Sequence, residues 1–249
     1  FRVSATTISE SFGMLAAVRK TMCAFQGDFS ALEAHGLGGV VLAEAVKRAG
    51  IDPALVGELL FGNCLMAGQG QAPARQAAIK GGLPLSTGAV TLSKMCGSGM
   101  KATMLAHDML LAGSADVMMA GGMESMTNAP YLMQKGRGGY RMGHDKLYDH
   151  MMLDGLEDAY EAGRSMGTFG EDCAATYSFT RDAQDTFAME SVQRAQAASI
   201  NGVFAAEIAP VTVKTRKGER VVSIDEGTGT IDIDTVAYTH LTLPPIYTL

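Results

Sequence analysis

Charge is scarce in this sequence. Asp, Glu, Lys and Arg make up 18% of its 249 residues, against about 25% in an average globular domain. The charge present sums to −6 with no clustered basic excess, which excludes the electrostatic footprint of a nucleic-acid-binding surface. Cysteine is sparse as well. The four cysteines, Cys23, Cys64, Cys96 and Cys173, form no C-x-x-C pair, so neither a zinc cluster nor a dithiol redox motif is expected. So few thiols in so long a chain predict a reducing, cytoplasmic setting. The opening FRVSATTISESFGM lacks the apolar core of a secretion signal, and no apolar run reaches the length of a membrane span. No membrane partner is therefore expected. The first residue is Phe, not Met, so a natural start upstream is expected. There is no internal repeat, no low-complexity tract and no G-x-x-x-x-G-K-[ST] phosphate loop.

What replaces charge is glycine (30 residues) and methionine (17), within a chain that is 47% hydrophobic. That composition belongs to a tightly packed chain of one large domain or two modest ones. Residues 36–52 predict an amphipathic helix with Val40, Val41, Ala45 and Val46 opposite Glu44, Lys47 and Arg48, stopped by Gly50. A strand is expected at 56–62, a loop at 63–71, and a helix entered through Pro73 and closed by Gly81–Gly82. Then come a strand at 88–95, a helix at 97–113 and a strand at 115–122. Helices alternating with strands predict a parallel sheet with right-handed crossovers. From Met123 the period is lost, and a loop-rich insertion is expected up to Thr180, with the methionines of 123–142 as adaptable packing. Thr180 reads as the cap of a helix that has Asp182 and Asp185 near its positive end and stops at Asn201–Gly202. Residues 208–224 read as a hairpin turning at Lys217–Gly218.

The stretch KMCGSGMKA (94–102) carries the chemistry. As a nucleophile, Cys96 needs its thiolate, and a free thiol titrates near ~8.5. A strand-to-helix turn would set the sulfur at a helix N-terminus, where unpaired N–H groups stabilise negative charge. Gly97 and Gly99 would allow a tight turn and leave room for an acyl group. The Cys96 N–H could donate to a developing oxyanion. His107 lies about 16 Å along the same helix, too far to act as its base. As a structural residue, Cys96 would simply pack, as free cysteines often do. Alternatively GSGMKA fits the dinucleotide fingerprint, with Glu124 as the ribose-binding acid of an oxidoreductase. Local chemistry leaves all three readings open.

The wider pattern resembles the thiolases, the acetyl-CoA acetyltransferase/3-ketoacyl-CoA thiolase family. The resemblance rests on AAVRKTMCAFQGDFSAL (16–32), GQGQAPARQAAIKGGLP (68–84), LSKMCGSGMKA (92–102), MMAGGMESMTNAPYL (118–132), DGLEDAY (154–160), SMGTFGEDCA (165–174) and TRDAQDTFA (180–188), in family order. It covers about residues 15 to 237. It implies an α/β fold: the N-terminal βαβαβαββ half of an α/β/α/β/α sandwich, with an inserted loop domain. Residues 1–122 would be the α/β domain, 123–237 the loop domain that binds coenzyme A, and 238–249 a foreign or frameshifted tail. Cys96 would be the acyl-accepting nucleophile. Leu156 and Met166 would line the pantetheine tunnel, and Ser165 falls where short-chain members carry a His. Lys214, Arg216, Lys217 and Arg220 are candidates for the CoA phosphates, weighed against a merely solvated basic hairpin. Coenzyme A and acetyl-CoA would be substrates, with no permanent cofactor and no metal, and the full-length protein a homodimer or homotetramer.

Three elements implied by that resemblance are missing from the sequence: the His of a G-H-P segment, the Cys of a C-x-G segment and the Asn of an N-E-A-F segment. His35, His107, His144, His150 and His240 lack that context and read as core or surface residues. The C-terminal half is expected to be absent, and this polypeptide alone to be an inactive, non-catalytic fragment of an acyltransferase.

Overall fold

The computed structural model describes residues 13–216, 218–227 and 231. The expectations for Lys217, for His240, for residues 232–237 of the loop domain and for the 238–249 tail lie outside the described residues. In chain order the elements are β1 (Arg19–Lys20), α1 (Ala34–Ala49), β2 (Glu58–Gly62), α2 (Pro73–Lys80), β3 (Gly88–Leu92), α3 (Ser98–Leu111) and β4 (Met118–Gly122). There follow β5 (Tyr131–Leu132), β6 (Tyr148–Asp149), a π-helical turn (Met152–Leu156), α4 (Met166–Thr176), α5 (Arg181–Ile200), β7 (Ile208–Ala209), β8 (Val211–Thr215) and β9 (Gly218–Val222). They form two compact units.

The first unit contains Ala34–Cys64 and Gln69–Glu124. Its sheet is parallel, in the order β3-β2-β4. The central strand is covered on both faces, which explains why ELLFG reads as a continuous apolar run rather than an alternating one. Leu59 and Phe61 join Ala34, Leu42, Ala74, Ala77, Ala78 and Met123 in one buried cluster. Leu60, pointing the other way, joins Ala102 and Ala106 of α3. Each buried Leu, Phe or Met side chain contributes about 1.5–3 kcal/mol, and each alanine methyl about 0.8 kcal/mol. Helix α2 starts at Pro73 as expected, and the Thr91 hydroxyl on β3 accepts the Ala74 N–H at 2.9 Å.

The buried face of α1 differs from the expected one. It is formed by Ala34, His35, Leu37, Gly38, Gly39 and Leu42, whereas Val40, Val41, Ala45 and Val46 are only half-buried. Close approach is the reason. A Cβ on Gly38 would stand 2.8 Å from Met123 Sδ and 2.9 Å from Phe61 Cε1, and one on Gly39 would stand 2.8 Å from Lys80 Cβ. The helix rests on the sheet and on α2 through its glycines, which a hydrophobicity pattern does not register.

The second unit contains Arg19–Glu33, Leu65–Gly68 and the described residues from Ser125 onward. Order returns here earlier than the sequence predicts, at α4 instead of Thr180. Of the methionines at 123–142, Met123 packs in the first unit's core, while Met126, Met133 and Met142 are exposed. Thr180 does cap α5, its hydroxyl accepting the Ala183 N–H at 3.2 Å. The expected hairpin forms from β8 and β9, antiparallel, with Val211, Val213 and Val222 buried. Strands β1 and β7 pair in parallel beside an ionic clasp. The Arg19 guanidinium reaches both oxygens of buried Asp225, at 2.8 and 2.9 Å, and Glu207 at 2.7 Å. Those bonds hold the Asp225 carboxyl below its ordinary range, against the opposing effect of burial.

Candidate active site

The sequence between β3 and α3 folds into a tight elbow. Gly97 N–H donates to Lys94 O at 3.1 Å, and Ser98 N–H to Met95 O at 2.9 Å. The left-handed residue of the turn is Met95, with φ +48°. Gly97 has φ −87°, open to any residue. Cys96 therefore stands exposed, two residues ahead of the first residue of α3. It is not a packed core thiol. Gly97 occupies the N-cap with no side chain over the first-turn N–H groups, so negative charge at this end of α3 is favoured by the helix. A Cβ on Gly97 would meet only Lys94 O, at 3.4 Å, and Lys94 Nζ, at 3.9 Å. The elbow thus has open space and an ammonium group beside the thiol-bearing turn.

The other glycines set the height of α3 over the sheet. Gly62 lies directly under the first turn, where an added Cβ would be 2.6 Å from Ser98 Cβ and 2.8 Å from Gly99 N. A Cβ added to Gly99 would stand 3.7 Å from the Gly121 carbonyl and 3.8 Å from Gly122 N, an ordinary contact distance. The sequence placed the tight constraint at Gly97 and Gly99; it falls on Gly62, at the end of the neighbouring strand.

A polar bracket, which the sequence reading missed, joins the strand ends to the elbow. Ser98 Oγ donates to Met95 O at 2.6 Å, accepts Lys94 N–H at 2.8 Å, and lies 3.5 Å from Cys64 Sγ. Glu124, just after β4, accepts Asn63 Nδ2 at 2.6 Å and Cys64 N–H at 2.8 Å. Asn63 N–H in turn donates to Leu92 O at 3.0 Å, at the end of β3. This overturns the reading of Glu124 as a ribose-binding acid: both its oxygens are engaged in holding β2 to β4. With that acid committed, GSGMKA loses the partner a dinucleotide site requires.

In the second unit, the π-helical turn ends at Leu156, and Glu157 bridges to Ser165 in antiparallel fashion. Leu156, Ser165 and Met166 are thereby gathered at the neck of one loop. Leu156 and Ser165 are half-buried and Met166 is exposed at the start of α4. The loop itself is pinned by Arg164, which pairs with Glu161 and Asp172 and lies 4.0 Å over the Phe169 ring. Of the basic hairpin, Arg220 is committed to Asp28, which raises its guanidinium pKa, whereas Lys214 and Arg216 are exposed.

The histidines divide as the sequence suggested. His107 and His144 are exposed, and buried His35 lies 2.7 Å from Lys80 Nζ. Buried His150 is tied to Asp154 at 2.6 Å and accepts Ala67 N–H at 3.3 Å. Cys23, Asp28 and Glu226 bring ligand-capable atoms within 4.8 Å of one another. Asp28, however, is paired with Arg220, and Glu226 accepts the N–H groups of Ala24 and Asp28. Burial, aided by Glu226 and Asp28, pushes the Cys23 thiol up. Among the described residues no helix is long and apolar enough to cross a membrane.

The family model described as "Thiolase, N-terminal domain" matches residues 13–242. The chain is 48% identical over 210 residues to "Acetyl-CoA acetyltransferase 1" of Arabidopsis thaliana, a match covering 84% of this chain and 50% of that protein. It is 43% identical over 215 residues to "Probable acetyl-CoA acyltransferase" of Staphylococcus aureus (strain COL), covering 86% and 54% respectively. The crystal structure of Acat5 thiolase from Ascaris suum in complex with coenzyme A superposes with a TM-score of 0.83 at 35% identity, over 90% of this chain and 56% of that one. The chain thus spans about half the length of the curated relatives it matches.

Proposed function

The chain belongs to the thiolase family through its N-terminal domain, and on that premise we propose that the protein carrying it is an acyl-CoA C-acyltransferase with Cys96 as the acyl acceptor. The observation that carries this reading is the exposed Cys96 on its elbow, at the open N-terminus of α3. In the degradative direction, Cys96 Sγ adds to the 3-keto carbon of a 3-ketoacyl-CoA. The oxyanion so formed collapses, the C2–C3 bond breaks, and the acetyl-CoA enolate leaves and takes up a proton. The thiol of a second coenzyme A then displaces the acyl group from Cys96. In the synthetic direction, acetyl-CoA acylates Cys96 and the enolate of another acetyl-CoA attacks the thioester. Division into two transfers through a covalent intermediate lowers each barrier.

In this reading residues 1–122 supply the nucleophile and residues 123–237 bind coenzyme A, with Leu156 and Met166 along the pantetheine and Ser165 beside it. Exposed Lys214 and Arg216 offer charge to its phosphates. The proton of Cys96 goes to the family's activating His, which lies in a segment this sequence does not contain. A cytoplasmic setting, a role in fatty-acid metabolism and a homo-oligomeric state belong to the same proposal.

The test is acylation of the complete protein with radiolabelled acetyl-CoA, followed by digestion and peptide mapping. Label is expected on the peptide carrying Cys96 and is expected to vanish in Cys96→Ser. A thioester that forms elsewhere, or survives that substitution, overturns the assignment.

A further inference from the structure

We propose that Ser98 is the positioning residue of the Cys96 elbow, an inference that rests on reading Cys96 as the acyl acceptor. A hydroxyl has one hydrogen and two lone pairs, and here all three are used. The hydrogen goes to Met95 O at 2.6 Å, and one lone pair takes the Lys94 N–H at 2.8 Å. With that hydrogen spent, the 3.5 Å contact to Cys64 Sγ has the Cys64 thiol as donor to the second lone pair. Ser98 thus clamps both residues that precede Cys96, one of which, Met95, is held in a left-handed conformation that a β-carbon disfavours. Strained backbone of this kind persists only where its surroundings over-determine it.

Ser98 is in turn fixed from below. Its Cβ rests against the bare face of Gly62, and Cys64 is anchored through its own N–H to Glu124. The seat on Gly62 and the two backbone bonds of the hydroxyl set where the Cys96 sulfur stands relative to the open end of α3, and the Cys64 contact lends secondary support. Ser98 touches no reacting atom in this scheme; it acts through the backbone of Lys94 and Met95. Cys64, held as a hydrogen-bond donor, is a support of the bracket and not a second nucleophile.

The test uses the complete protein and rapid-quench measurement of Cys96 acylation by acetyl-CoA, read by mass spectrometry of the Cys96 peptide. Ser98→Ala keeps the Cβ that lies on Gly62, so its far-UV circular dichroism should match wild type. A displacement of about 1 Å at a reacting group costs up to a hundredfold in rate. Ser98→Ala is accordingly expected to slow acylation roughly ten- to hundredfold, with KM for acetyl-CoA changed less than about threefold. Ser98→Thr, which restores the hydroxyl, should recover most of the rate. Cys64→Ala leaves both backbone bonds of the hydroxyl in place and should stay within about threefold of wild type.

Wild-type acylation rates in Ser98→Ala, or equal losses in Ser98→Ala and Ser98→Thr, would overturn the role of the hydroxyl. So would a larger loss in Cys64→Ala than in Ser98→Ala. Absence of any Cys96 thioester in the wild-type protein would instead be a failure of the functional reading.

Discussion

Gly62 offers the sharpest check on how α3 is seated. It does not need glycine for its backbone, because its φ is not in the left-handed region; the constraint is purely one of space. Substitution Gly62→Ala would place a Cβ 2.6 Å from Ser98 Cβ, 2.8 Å from Gly99 N and 2.8 Å from the Ser98 carbonyl carbon. Non-bonded carbons prefer about 3.5–4.0 Å, so the first turn of α3 must lift by about 1 Å. None of the three atoms is the end of a flexible side chain, so no rotamer change absorbs the strain. Overpacking costs about 1–3 kcal/mol, and this case belongs at the upper end. Against it stands a gain of about 0.4–1 kcal/mol from the stiffer unfolded chain. The net loss is about 2–2.6 kcal/mol, which at a urea m-value of roughly 2–3 kcal/mol/M lowers the midpoint by about 1 M. Gly99→Ala is the internal control. Its added Cβ would find its nearest neighbours at 3.7 Å, and alanine gains up to ~1 kcal/mol over glycine in a helix, so stability should hold or rise. Urea unfolding followed by circular dichroism decides the matter. Equal midpoints for Gly62→Ala and wild type, or equal losses in the two variants, would refute the seating of α3 on Gly62.

Asp225 gives a pH-dependent prediction. Its folded carboxyl is held below the unfolded value, chiefly by hydrogen bonds from Arg19, so its contribution is fully present above an unfolded pKa of about 3.9 and is lost as pH falls through the folded value. Asp225→Asn should cost about 1.5–3 kcal/mol at neutral pH, because it removes the carboxylate that Arg19 grips with two nitrogens and leaves it the Glu207 carboxylate, the Lys20 carbonyl and the Phe204 ring, and should lack the wild-type loss below about pH 4; parallel stability–pH curves would count against the clasp. Glu124→Ala leaves the Cys64 N–H without its acceptor, while the Asn63 amide keeps Met123 O, a loss of about 1–3 kcal/mol for the group left unpaired, measurable in the same urea assay. A saturable NAD titration abolished by that substitution would revive the dinucleotide reading. Thr180→Ala removes the cap on the Ala183 N–H and should cost about 1 kcal/mol, and an unchanged melting curve would show that α5 does not depend on it.

Much of the fold was legible because it follows from local pattern. Pro73, Gly50, Thr180 and the run ELLFG each carry their conformational instruction in their own chemistry, and the strands and helices they bound appear as expected. The face of α1 was misread because Gly38 and Gly39 pack through what they lack, and a hydrophobic stripe counts only what is there. Helix α4 was missed because GTFGEDCA offers two glycines and no clean apolar period. It is held at its start by the Glu157–Ser165 bridge and the Arg164 ion pairs, which a window of eleven residues does not contain.

At the candidate site the division is sharper. Cys96 was singled out by its glycine neighbours and by resemblance, and the structure places it on an exposed elbow. The groups that shape that elbow carried no local signal. Cys64 is 34 residues from Ser98, and Glu124 is 60 residues from Cys64; parallel pairing of β3, β2 and β4 makes them neighbours at one end of the sheet. The same topology explains the error over Glu124. An acid shortly after a strand is the mark of a ribose site when its carboxylate is free, but here the adjacent strand ends in Asn63–Cys64, whose amide and N–H fill it. An acid's position along the chain could not separate those cases, because the deciding residues lie on a different strand. What separates a nucleophile's elbow from a phosphate loop here is where the strand-end groups are spent: the Glu124 carboxylate is bonded to Asn63 and Cys64 between the strands, and the Cys64 sulfur meets Ser98 in the turn.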